Sequence, residues 1–158
     1  MYTKSKLMLS LALLKDLHNK IEYYKTMVNN NIRRLELLTH SDIRGRKIDV
    51  SRELRNLMEL KKGIEGIDVF LENIIMRLET LLISEQVILS AMLIKELSKE
   101  LKHTIGNTIP VIDVYIDKLN IIANDVVNQL RMQESKGEII TASEEAKKII
   151  REAKQFFT

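Results

Sequence analysis

The chain has 158 residues, 45% hydrophobic and 30% charged, with a formal net charge of +3. That is one ordinary domain with enough apolar material for a core, and not a disordered chain. With one proline, five glycines and no cysteine or tryptophan, a turn-rich all-β domain, disulfides and thiolate chemistry are excluded.

The first predicted helix runs from about Lys6 to Leu38. Leu7, Leu14, Ile21, Val28 and Leu35 recur every seven residues. Leu11 and Ile32 supply a second seam position, Tyr24 lies near it, and His18 occupies it once. Such a repeat is the seam of a coiled coil or a helical hairpin. The start, Met1 to Leu14, is leucine-rich and Lys-flanked, and lacks a small-residue cleavage site. It is read as mature protein rather than a signal peptide. No run of about 18 uncharged apolar residues exists, so no transmembrane span is expected.

Residues 39–47, THSDIRGRK, form a polar break. Asp49 or Ser51 is placed to cap a second helix from about Val50. There Val50, Leu57, Ile64, Leu71 and Leu78 repeat by seven, with Leu54, Ile75 and Leu82 on the second position. Lys61 and Asp68 interrupt that second position. Gly63 and Gly66 weaken the helix and are read as points of close helix–helix approach. Two helices of one register joined by a short loop predict a long antiparallel hairpin, spanning about 6–103. From Leu81 to Leu101 the apolar residues cover more than one face, so this stretch is buried either inside a bundle or by another subunit. Residues 104–110, TIGNTIP, form the next break, and Pro110 opens a helix of about 110–132 with a single-sided apolar stripe. A linker centred on Gly137 follows. Thr141-Ala142-Ser143-Glu144 reads as a capping box opening a short polar helix to about Phe157. The expected fold is therefore all-α, a long antiparallel hairpin with further helices packed on it. Residues 1–133 form the core, and 134–158 a linker and terminal helix.

Charge is unevenly divided. Residues 1–62 hold 14 Lys and Arg against 7 Asp and Glu, whereas residues 63–158 hold 11 against 15. A basic front can meet an anionic surface, or the acidic back can fold over it; drift in the sign of solvated faces is the bland alternative. Two readings fit the basic start. Lys4, Lys6, Leu7, Met8, Leu11 and Lys15 make an apolar wedge beside cations, suited to a membrane surface. Alternatively, these leucines only begin the seam. The tightest basic cluster is Arg44, Arg46 and Lys47, followed by Arg52 and Arg55. Few aromatics interleave with these charges, so nucleic-acid binding is not expected. Glu100-Leu101-Lys102-His103 has the Glu-x-x-His spacing of di-iron bundles, but the companion motif and extra glutamates are missing. No phosphate loop and no nucleophile triad are present. No enzyme activity, metal or cofactor is expected.

The succession of a basic hairpin, an apolar third segment, a break, a one-sided fourth helix and an acidic second half with a short last helix resembles the ESCRT-III family. The likeness is strongest to its archaeal CdvB-type cell-division members. It is carried by FLENIIMRLETLLISEQVILSAMLIKELSKEL (Phe70 to Leu101), by IGNTIPVIDVYIDKLNIIANDVV (Ile105 to Val127) and by GEIITASEEAKKIIREA (Gly137 to Ala153). The resemblance implies a short paralogue that polymerises with itself and related paralogues on anionic membranes and constricts them, in cell division, vesicle release or virus egress. It implies a cytoplasmic protein, peripheral on the inner face of the cell membrane. Its acidic half would hold the monomer closed, and Leu82, Ile83, Val87, Ile88, Met92, Leu93, Leu97 and Leu101 would serve self-assembly. The tail departs from the family: it has no proline motif, and KKIIRE fits the leucine-spaced motif poorly, so no clear signal for the disassembling AAA ATPase is present. A coiled-coil adaptor or structural bundle without membrane activity is the alternative.

Overall fold

The computed structural model describes residues 2–39, 47–105 and 110–155. Among them it forms five helices: α1 (Tyr2–Thr39), α2 (Lys47–Ile83), α3 (Val87–Ile105), α4 (Pro110–Gln133) and α5 (Lys136–Lys154). The all-helical expectation holds, as the scarcity of turn residues requires. No helix among the described residues is long and apolar enough to cross a membrane.

α1 lies beside α2 in the opposite direction, because Lys4 pairs with Glu85, Lys15 with Glu79, and Lys25 with Asp68. The heptad seam explains the contact. Leu7, Leu14, Ile21 and Val28 are buried on α1, and Ile64, Leu71, Ile75, Leu78 and Leu82 on α2. Each helix also buries residues outside that seam, Ser10 and Leu17 on α1 and Ile67, Phe70 and Ile74 on α2. α1 needs the wider face because it also packs on α4 and α3, and α2 because it also packs on α3 and α5.

The second arm does not run to 103. α2 stops at Ile83, and Ser84–Gln86 turn the chain into α3. Gln86 N–H donates to the Leu81 carbonyl (2.9 Å) and Glu85 N–H to that of Leu82 (3.2 Å). This is the paired closure of a Schellman motif, and it places Glu85 in the left-handed region at φ 60°. Glycine normally fills that position, so sequence inspection finds no break here.

α3 is the middle of the molecule, with α4 and α5 both packed on it. Leu89, Ala91, Met92, Leu93, Ile94, Leu97 and Leu101 are all buried, which accounts for the many-sided apolar pattern. The buried Ser90 and Ser98 hydroxyls donate to the carbonyls of Gln86 and Ile94, so neither is left unsatisfied. α4 buries the single stripe Ile112, Ile116, Leu119, Ala123, Val126, Val127 and Leu130.

α5 differs from expectation. It begins at Lys136, capped by the Ser135 hydroxyl, which accepts from Glu138 N–H at 3.3 Å. Ser135-x-x-Glu138 has the capping-box pattern and lies six residues before the one read in the sequence. Thr141 is therefore inside the helix, its hydroxyl donating to the Gly137 carbonyl. A two-residue turn replaces the expected linker. α5 packs on α3 rather than on its chain neighbour α4, burying Ala142, Ala146, Ile149, Ile150 and Ala153. α2 likewise begins earlier than expected, at Lys47, which puts Asp49 and Ser51 inside its first turns.

Gly63 is exposed, and a Cβ there would meet nothing within 4 Å. The expected close approach at that glycine does not occur.

Candidate functional site

The basic start of α1 is neutralised from within the chain. Lys4 pairs with Glu85 at 3.6 Å, Lys15 with Glu79 at 3.2 Å, and Lys6 with Asp125 of α4. Thr3 donates to Gln129, also of α4. Leu7 and Leu11 are buried in the core, so in this conformation neither can act as a membrane wedge; the seam reading of these leucines is the one seen. Of the apolar members of that set only Met8, 48% exposed, faces outward, beside exposed Leu9.

The other basic residues lie on a different part of the molecule. Among the residues whose burial is described, the last buried one on α1 is Ile32 and the first on α2 is Ile64. The described residues between them form a two-helix arm in which Leu35, Leu54 and Leu57 are only half-buried. Its surface carries exposed Arg33, Arg34, Arg52 and Arg55, with exposed Leu37, Leu38 and Met58. From 33 to 62 the sequence has nine basic and five acidic residues. Arg44 and Arg46 lie outside the described residues, as does the side chain of Lys47.

The residues expected to serve self-assembly are largely covered by the chain itself. Leu82, Met92, Leu93, Leu97 and Leu101 are buried, Val87 and Ile88 are half-buried, and Ile83 is 82% exposed. α5 supplies part of the cover, and Lys154 pairs with Glu100 at 2.6 Å where the two helices end together. That ion pair also occupies the glutamate of the Glu-x-x-His motif. Between α3, α4 and α5, burial pushes the Lys95 ammonium below the usual lysine range, and nearby Lys99, Arg131 and Lys147 add to the effect against Glu96.

A polar cluster interrupts the seam between α1 and α2. His18 and Glu22 are one turn apart on α1, and Asp68 and Glu72 one turn apart on α2, so each pair shares a helix face. Asp68 is 5% exposed at its side chain. His18 Nε2 lies 2.7 Å from Asp68 Oδ1, 3.3 Å from Glu72 Oε1 and 3.8 Å from Glu22 Oε1. The first two of these atoms are buried, yet neither makes a hydrogen bond. Lys25 Nζ reaches Asp68 Oδ2 at 3.4 Å. A hydrogen bond with Asp68, then burial and the Asp68 charge, hold the Glu22 carboxyl above the usual carboxylate range, against the pull of Lys25 and His18. Burial alone would lower the Lys25 ammonium, but Glu22, Asp68 and Glu65 outweigh it and raise it. The four side chains bring their ligand-type atoms within 4.8 Å of one another. Sequence reading noted His18 and Asp68 only as seam interruptions. The available signal was that each is followed four residues later by a glutamate.

No family model, no curated protein and no solved structure matches this chain.

Proposed function

We propose that the chain is an ESCRT-III-like polymer subunit that docks on anionic membranes and remodels them, and that the structure described above is its closed form. The observation that carries this reading is the two-helix arm. Four exposed arginines share that surface with exposed Leu37, Leu38 and Met58, the combination that an anionic lipid surface attracts and then holds. The α1–α2 pair corresponds in this reading to the family's basic hairpin. The membrane contact moves from the N-terminal wedge to the arm, because the wedge leucines are buried and its lysines are paired.

The covering of α3 supports a regulated form of the same reading. Leu93, Leu97 and Leu101 are packed inside the subunit, and release of α5 would offer their outer side to a neighbour, exchanging one helix contact for a similar one. Sedimentation with vesicles and electron microscopy test this. At low salt the chain ended after Glu134 is expected to bind phosphatidylserine vesicles and form filaments, the full chain less so. Reversing Arg33, Arg34, Arg52 and Arg55 to Glu should abolish binding, and salt should weaken it by screening. A protein that stays monomeric and ignores these vesicles in both lengths sinks the proposal.

A second reading is a self-contained helical bundle that acts as an adaptor. It is favoured by the burial of Met92, Leu93, Leu97 and Leu101 within one chain. It predicts a single defined species in solution, indifferent to lipid, for the full chain.

A further inference from the structure

We propose that His18, Glu22, Asp68 and Glu72 form a binding site for one divalent transition-metal ion that clamps α1 to α2. The donor set is one imidazole nitrogen and three carboxylates, drawn from two helices. Imidazole suits zinc, iron, nickel and copper, and the three carboxylates also suit manganese, whereas magnesium and calcium take all-oxygen ligand sets.

Two features point to a cation rather than to an ion pair alone. The first is the geometry between His18 and Asp68. Their facing atoms are 2.7 Å apart and buried, and neither makes a hydrogen bond. At 2.7 Å they stand as an ion pair, closer than two ligands of one ion, so an ion held by both would part them and satisfy both at once. Ligand atoms about 2.1 Å from a tetrahedral ion stand about 3.4 Å apart. The 3.3 and 3.8 Å separations to Glu72 and Glu22 already match that spacing. The second feature is charge. Three carboxylates and the Lys25 ammonium leave two negative charges at the seam, which a divalent ion cancels. Lys25 holds only the Oδ2 edge of Asp68, at 3.4 Å. It therefore competes with the ion without filling the site.

The site is independent of the membrane reading and can be tested on the full chain by equilibrium dialysis against Zn²⁺ alone and Mn²⁺ alone, with Mg²⁺ for comparison. Bound Mn²⁺ is read separately by electron paramagnetic resonance. One Zn²⁺ or Mn²⁺ per chain is expected at this site, with Mg²⁺ much weaker. Losing even an outer partner of a metal ligand costs about 10–100-fold in affinity, so Glu72→Gln and His18→Gln should each cost at least roughly tenfold. Lys25→Met should tighten binding, an increase that general loosening of the helix pair would not produce. Glu72 is exposed at the seam's edge, so Glu72→Gln remains folded and decides the matter if His18→Gln does not fold. Absence of binding, or affinity unchanged in Glu72→Gln, overturns the proposal.

Discussion

At the scale of single residues, the polar side chains among the helices carry more information than the leucines. Lys95 is held below its usual range by burial and by three neighbouring cations. Its folded form thus releases its proton at a lower pH than the unfolded chain does. Between the lowered value and the ordinary lysine value near 10.5, the unfolded state binds more protons, so stability rises with pH through that window. Below it, the cost of holding the charge is fully present. Lys95→Met should therefore raise the melting temperature at neutral pH and flatten the alkaline rise, measured by thermal unfolding from pH 7 to 10.5. The seam leucines Leu7, Leu14, Ile21, Leu71 and Leu78 were readable in the sequence because a seven-residue period survives any detail of packing. The His18–Asp68 cluster was not. Its members are fifty residues apart in the chain, and only the register of two antiparallel helices brings them together.

At the scale of elements, the boundaries that sequence reading missed share one physical cause. Helices are recognised by their punctuation, and here the punctuation is unconventional. Glu85 takes the left-handed position that glycine usually fills, while Gly63 and Gly137 lie inside helices where nothing requires them. Reversing the assignments should stabilise the fold. Glu85→Gly removes a left-handed strain of about 1–2 kcal/mol, at the loss of one exposed ion pair with Lys4. Gly63→Ala gains up to about 1 kcal/mol, since its Cβ meets open space. Chemical denaturation should show higher midpoints for both, with unchanged slope. The α5 start shows the same lesson in another form. The sequence places a capping box at Thr141, beside the apolar residues, whereas the operating one, Ser135 to Glu138, precedes a turn of exposed helix.

At the scale of the whole molecule, α5 is the helix whose attachment is easiest to alter. Its buried face is three alanines and two isoleucines, against the seven buried apolar side chains of α4. An Ala146→Asp exchange places a carboxylate at a fully buried position on α3 and is expected to detach α5 while leaving α1 to α4 folded. Limited proteolysis checks this. Cleavage should become fast within residues 136–154 and stay slow in α3 and α4, with a parallel rise in binding of a hydrophobic dye. Uniform loss of protection would instead mean that α5 is part of one cooperative unit.

The order of packing also has a consequence in time. α5 covers α3 although α4 lies between them in the chain. Ribosomes add about 5–20 residues per second, so the α5 segment of 19 residues takes about 1–4 s to make after α4 is complete. For that interval one side of α3 has no cover of its own.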